Sequence, residues 1–369
     1  MIFIKNYKLL RFFIQRRNIT IRNEYENVDT LYGGVEGFIA LVIPHIMFTG
    51  DTLIVKDKVC LEFYNNLLSL KDYYKSCNVC KIYFNVECES YYKLNDTFWK
   101  SNNRGILSTF TGGVDSFYTV LTNLDQINGL MYCVNYDVRE KHEKLLKRQL
   151  TTVREVSDKL GKKCIICWSN QRDVLERDPT LGYMRAVYGC DDIWGRYFHG
   201  PAIFSCAYNL SKEFGKILIP SSYHGEFDKK RKIWGSNFTI DPKYSSPIMN
   251  IVHDGDCTRI HKIKTIIQLN KKLVFDYLKV CYSNGSQQKY NCSKCEKCQR
   301  TFIPIGIMNV DYIKELKTFD IDVDNFIEIR NKYLQSDFYR GMEREFQIEA
   351  RNLACETCGC EQCRKMIDC

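Results

Sequence analysis

The sequence predicts an α/β fold, a parallel sheet with helices on both faces. Two observations lead there. From Gly105 onward, short apolar runs alternate with amphipathic segments of helical period. Strands separated by helices run parallel and need a helical layer on each side. The first run, Ile106–Phe110, breaks sharply at Thr111-Gly112-Gly113-Val114-Asp115-Ser116, the punctuation of a strand turning into a helix. At roughly 100–200 residues per domain, the 369 residues divide into a small N-terminal α+β domain over 1–100, the α/β domain over 101–260 and a helical C-terminal region over 261–369.

Taken in order, Thr52–Val55, Val59–Phe63 and Lys81–Val86 read as strands and Leu61–Tyr74 as partly helical. Ile106–Phe110 is the first strand of the central unit, followed by a helix from about Ser116 to Leu124 and a second strand over Leu130–Tyr136. Leu146, Leu150, Val153, Val156 and Leu160 are spaced as one face of a helix. Lys163–Trp168 is a third strand. Phe198, Ala202, Cys206, Leu210 and Phe214 recur every four residues, predicting a helix with an irregular start at Pro201. Lys216–Ile219 is a fourth strand, ended by Pro220. After residue 260 the chain becomes helical and charged.

Composition narrows the chemistry. A chain that is 45% apolar and 26% charged builds an ordinary core, and 53 basic against 44 acidic residues, a net +9, favour anionic partners. Phe38–Pro44 falls far short of the about 20 apolar residues of a membrane span, so no membrane partner is expected. Lys5, Lys8 and Arg11 interrupt the N-terminal apolar residues where a secretory segment would be continuous. A cytoplasmic location is the expectation. Nineteen cysteines are an odd number, so they cannot all pair within one chain, and their clustering near the C-terminus points to metal.

The turn at 111–116 is built for an anion. Gly112 and Gly113 let a phosphate approach the backbone, successive N–H groups form an anion nest, and the following helix adds its positive end. Thr111 and Ser116 supply hydroxyls. Asp115 beside phosphates either caps backbone N–H groups or meets the phosphates through Mg²⁺. The spacing and lysine of a Walker A loop are absent. Farther on, Cys281, Cys292, Cys295 and Cys298 form C-x10-C-x2-C-x2-C. Four thiolates suit a closed tetrahedral Zn²⁺, with an iron–sulfur cluster or free thiols as the other readings. Lys294, Lys297 and Arg300 lie where they offset the thiolate charge.

Phe110–Ser116 resembles the SGGxDS signature of the PP-loop ATP pyrophosphatase superfamily, with Thr111 in place of the usual serine. The resemblance implies a HUP-like fold that binds ATP through Thr111, Gly112, Gly113, Val114, Asp115 and Ser116, with Asp115 and Ser116 catalytic. Such enzymes cut between the α- and β-phosphates: a substrate oxygen is adenylated, pyrophosphate leaves, and a nitrogen or sulfur nucleophile displaces AMP. A PP-loop followed by the four cysteines is similar to the 7-cyano-7-deazaguanine synthase family of the queuosine pathway, whose cysteines bind zinc; this carries over to Cys281, Cys292, Cys295 and Cys298. Trp234-Gly235-Ser236-Asn237, His253-Asp254-Gly255 and Asn291–Thr301 look like a branch of its relatives, some found in bacterial antiphage operons. The similarity covers about residues 105–305 and implies a substrate pocket at Trp234, Ser236, Asn237, Asp254 and Arg259.

The expected ligands are therefore ATP with Mg²⁺, Zn²⁺, and a small-molecule or protein- or tRNA-linked acceptor bearing a carboxylate, amide or nucleobase-like carbonyl. Nucleic acid and a second copy of the chain stay open as partners. A tRNA thiolase with an iron–sulfur cluster and a non-enzymatic zinc module binding nucleic acid or protein are the alternatives. Several features carry less: Arg185, the run Lys229-Lys230-Arg231-Lys232, Lys262 beside Arg259, Cys77-Asn78-Val79-Cys80, and the tail Cys355, Cys358, Cys360, Cys363 and Cys369. Asp254 reads as a cap for the helix after it.

Overall fold

The structure, a computed structural model, describes residues 7–14, 19–50, 52–76, 84–93, 104–177, 192–225, 234–281, 290–335 and 342–358. Arg185, the basic run at 229–232, the Cys77–Cys80 pair and the tail beyond Cys358 lie outside them.

The central strands follow from period-two alternation. Strands β7 (Gly105–Thr109), β8 (Ile127–Val134), β9 (Lys163–Ser169), β10 (Phe214–Pro220) and β11 (Asn250–Asp254) pair in parallel. Leu107, Met131, Cys133, Ile165, Cys167, Ile217, Ile219 and Ile251 point into one core. Their neighbours Ile106, Leu130, Tyr132, Val134, Ile166, Leu218 and Val252 point into a second core on the opposite face. A sheet apolar on both sides demands two helical layers. One holds α1 (Glu36–Thr49), α2 (Leu61–Ser76) and α6 (His199–Asn209). The other holds α3 (Val114–Thr122), α4 (Glu143–Lys159), α7 (Arg259–Tyr277), α8 (Glu296–Met308) and α10 (Val323–Gln335). The 17-residue α11 (Met342–Cys358) adds Ala350 to this second core, and α5 (Gln171–Arg177) and α9 (Tyr312–Glu315) are short helices.

The sheet order is β1-β2-β9-β8-β7-β10-β11. Strand order reverses at β7, so its C-terminal end opens the crevice where ligands of such sheets bind. β1 (Tyr7–Ile14) and β2 (Ile19–Glu26) extend the sheet antiparallel beyond β9. Ile21 and Tyr25 of β2 and the buried residues of α1 and α2 share the core of the central strands, so these described N-terminal elements and the α/β unit pack through one set of apolar side chains. Short pairs β3–β5 (Thr52–Val55 with Asn85–Cys88) and β4–β6 (Val59–Cys60 with Tyr91–Tyr92) lie apart from the main sheet.

Several sequence expectations shift. The strand expected over Val59–Phe63 ends at Cys60, because Phe63, Leu67, Leu70 and Tyr74 are buried at helical spacing and α2 begins at Leu61. The four-residue repeat from Phe198 stops being helical before Phe214, which opens β10; a single π-helical turn (Trp194–Phe198) precedes α6. Asp254 caps no helix. It ends β11, and Thr258 caps α7 by accepting from the His261 N–H at 3.2 Å. Among the described residues no helix is long and apolar enough to cross a membrane.

Candidate active site and metal centre

The turn after β7 has the shape its glycines suggest, with one division of labour. Gly112 has φ +79°, the left-handed region a side chain rarely adopts, and its carbonyl accepts from the Lys279 N–H at 2.8 Å. Gly113 is extended and caps α3 with no side-chain hydrogen bond. A Cβ at Gly113 would approach nothing in the chain closer than 3.7 Å. Ser116 is buried; its hydroxyl donates to the Gly113 carbonyl at 3.0 Å and accepts from the Thr111 N–H at 3.4 Å. It holds the loop's shape.

This loop forms one wall of a cavity of about 870 Å³. Thr111, Gly113, Val114, Asp115 and Ser116 line it at the C-terminal ends of β7, β8 and β10. The same cavity is lined by Arg259 from the first turn of α7, Lys279 from the segment after it, and Lys297 and Arg300 from the first turns of α8. Lys297 and Arg300, expected to balance the cysteines, thus also face the cavity, whereas Lys294 is exposed.

Asp115 is one counter-charge of these cations; Glu296 lies 3.4 Å from Arg300 Nη1, and Asp137, Asp192 and Glu343 also line the cavity. The Asp115 carboxylate lies 3.4 Å from both Arg259 Nη1 and Lys262 Nζ, and both cations are buried. Burial opposes charge on Asp115, but Lys262 and Arg259, with Arg300 and Lys297 beyond, outweigh it and hold the carboxyl below its ordinary range. Lys262 is further fixed by donating to the Ser221 carbonyl, and Arg259 by donating to Thr301 Oγ1 at 3.1 Å. Burial, then repulsion from Arg300, pushes the Lys297 ammonium down to about 7.

The expected substrate residues part company. Trp234 and Arg259 line the cavity. Ser236 donates to Asp241 at 2.8 Å, Asn237 Oδ1 accepts from the N–H groups of Thr239 and Ile240, and Asp254 accepts from Thr119 Oγ1 at 2.6 Å. Those three side chains hold loops and strand ends together. Sequence reasoning missed Tyr223, His199 and Phe346. Tyr223 and Phe346 stack with ring centroids 6.0 Å apart, and Trp234 meets Tyr223 edge-on at 6.5 Å. Arg300 lies 4.5 Å over the Phe346 ring. Phe346 belongs to α11, where Phe346, Ala350 and Leu353 are buried at i, i+4 and i+7; that apolar spacing was the available signal. His199 lines the cavity with its Nδ1 unpartnered. Burial lowers its pKa, against the pull of Asp137, Asp241 and Asp192, so the ring is neutral at neutral pH.

The four C-terminal cysteines converge. Sulfur separations are 3.8 Å (Cys281–Cys295), 3.8 Å (Cys292–Cys298) and 3.5 Å (Cys295–Cys298). A tetrahedron with Zn–S bonds of about 2.3 Å has edges of about 3.8 Å. The set therefore fits one ion such as Zn²⁺, while a cubic cluster bonds each thiolate to a different iron and needs wider spacing. Asn291 braces the site: its Oδ1 accepts from the N–H groups of Val280 and Cys281 at 2.8 and 3.1 Å. Cys281 and Cys295 also line the cavity, so the metal centre and the cationic wall share a scaffold.

Compared with family models, curated proteins and solved structures, the chain gives no significant match.

Proposed function

We propose that the cavity carries out an ATP-dependent, AMP- and pyrophosphate-forming reaction of the PP-loop ATP pyrophosphatase type, similar to that of 7-cyano-7-deazaguanine synthase. The observation that carries this reading is a convergence. A glycine turn at the C-terminal end of the strand where sheet order reverses opens on one cavity that Arg259, Lys279, Lys297 and Arg300 also line, together with Asp115, Asp137, Asp192, Glu296 and Glu343. Backbone N–H groups and four cations suit the oxygens of a triphosphate, and the carboxylates of the lining suit one that carries Mg²⁺. Gly113 supports it too: nothing in the chain needs the missing Cβ there, whereas a phosphate approaching from the cavity does.

In this reading the α3 N-terminus and the loop N–H groups bind phosphate oxygens. Arg259, Arg300 and Lys297 neutralise charge that builds as the bond between Pα and the α,β-bridging oxygen breaks. Asp115 positions Arg259 and Lys262 and is the loop carboxylate that Mg²⁺ carried on the nucleotide would meet. The acceptor oxygen bonds to Pα and pyrophosphate leaves; a nitrogen nucleophile then attacks the activated carbon and expels AMP. Neutral His199 is placed to take the proton this nitrogen loses. Tyr223 and Trp234, which line the cavity beside Phe346, offer aromatic surface to a planar ring, adenine or a nucleobase-like acceptor. Zn²⁺ on Cys281, Cys292, Cys295 and Cys298 would have no open position for water and would serve structure, holding α8 so that Lys297 and Arg300 face the loop.

The test is product identity. ATP labelled at the α-phosphate, incubated with the protein and the small-molecule fraction of a cell extract, should yield labelled AMP and an equal amount of pyrophosphate. Asp115→Asn should abolish that yield while zinc content stays unchanged. ADP and inorganic phosphate as products, or full activity in Asp115→Asn, would overturn the assignment.

A further inference from the structure

A second set of thiols meets in the core, apart from the C-terminal cysteines. Cys133 comes from β8, Cys167 from β9 and Cys206 from α6. All three are buried, and their sulfurs lie within 4.8 Å of one another, with Cys167 and Cys206 3.5 Å apart. One ion with metal–sulfur bonds of about 2.3 Å places its sulfurs about 3.8 Å apart in a tetrahedron and about 4.0 Å apart in a trigonal plane. The triangle has the size of a single ion's ligand set and is too tight for a cluster of several irons.

The surroundings favour a charged occupant over three idle thiols. Much of this face of the sheet is aliphatic and aromatic, and free cysteines pack in such cores as small apolar groups with no need of partners. Here polar side chains gather around the sulfurs. The Tyr136 hydroxyl lies 3.2 Å from Cys206 Sγ and also reaches the Gln171 Oε1 and, at 3.1 Å, the Ala202 carbonyl. The Gln171 amide reaches Asn23 at 3.2 Å, Ser205 at 3.4 Å and Cys206 Sγ at 4.0 Å. In the same network the Asn23 Nδ2 group is buried with no acceptor. Donors around sulfur are what a buried thiolate–metal unit requires, because an uncompensated charge there is costly. Cys133 and Tyr136 also line the large cavity, which gives an ion a way in.

We propose that Cys133, Cys167 and Cys206 form a second metal site that takes one soft d¹⁰ cation, Zn²⁺ or Cu⁺. Three thiolates exclude hard oxygen-seeking ions such as Mg²⁺ and Ca²⁺. The ion ties β8, β9 and α6 together beneath the cavity. This inference is independent of the ATP reading.

Metal-stripped, reduced full-length protein is titrated anaerobically with Cd²⁺, read by its thiolate charge-transfer absorption in the ultraviolet. Three proteins are compared: wild type, C133A/C167A/C206A and C292S/C295S. The triple variant should saturate with one equivalent fewer than wild type and lose the absorption of three thiolates. C292S/C295S should keep that equivalent. Competition against a Zn²⁺ chelator and a Cu⁺ chelator then identifies the native ion. Equal saturation of wild type and triple variant overturns the site, as does a mass lower by two hydrogens showing a Cys167–Cys206 disulfide in the protein as purified. Should the triple variant fail to fold, anomalous scattering from wild-type crystals soaked in Zn²⁺ or Cu⁺ decides instead. A peak among the three sulfurs is expected; a peak at Cys281–Cys298 alone contradicts the proposal.

Discussion

Two side chains lining the cavity, Asp115 and Arg300, give the sharpest tests at this scale. Asp115 keeps a depressed carboxyl because Lys262 and Arg259 overcome the cost of its burial. A carboxyl lowered on folding stabilises the protein above the unfolded value of about 3.9, and that contribution disappears as pH falls through the lower folded value. The denaturation midpoint of wild type should therefore fall more steeply than that of Asp115→Asn as pH drops from about 5 to below 3; parallel curves would show that the carboxylate is not held this way. In the proposed reading, Arg300→Ala removes one charged donor to the triphosphate. Hydrogen bonds to charged groups contribute about 1.5–3 kcal/mol, so ATP should bind roughly 10- to 150-fold more weakly, measured by titration of the purified variant. Unchanged affinity would remove Arg300 from the site. Lys297 and Arg300 were legible in sequence as neighbours of cysteines, but their facing the cavity was not, because that depends on where α8 docks.

At the scale of elements, α8 joins the two halves of the site. It begins at its N-cap Cys295, carries Cys298, and presents Lys297 and Arg300 within its first turns. Metal loss should thus unhook the cationic wall. Releasing the ion from Cys281, Cys292, Cys295 and Cys298 with a thiol-directed mercurial, or by Cys295→Ser, should abolish ATP binding in step with metal release, followed by a colorimetric zinc indicator. Full nucleotide affinity in the metal-depleted protein would separate the two features. The elements with strong local signals were readable beforehand: β7 to α3 through the glycine turn, α4 through its five-residue apolar stripe, β10 through its apolar run up to Pro220. Elements defined by distant pairing were not. β2 buries Asn23 between Ile21 and Tyr25, which blurs its alternation, and nothing local in it announces antiparallel pairing to β9. β11 is short and ends in His253-Asp254, residues that in isolation look like the approach to a helix.

The whole molecule is an α/β sandwich whose sheet gains its outer two strands from the N-terminal region. That junction is more than an edge contact: Glu26 accepts from Trp168 Nε1 at 2.9 Å and pairs with Arg154 at 2.8 Å, while Tyr25 is fully buried. Removing residues 1–30 should therefore cost the cooperative thermal transition of the remaining chain, observed by circular dichroism; a truncated protein melting like wild type would make the N-terminal strands dispensable. The net charge of +9 suits a polyanionic ligand; the cavity itself is lined by Arg259, Lys279, Lys297 and Arg300 together with Asp115, Asp137, Asp192, Glu296 and Glu343. Calorimetric titration with α,β-methylene ATP addresses this directly. One site per chain, weakened in both Asp115→Asn and Arg300→Ala, is the predicted result; no binding at millimolar nucleotide, or binding indifferent to both substitutions, would contradict it.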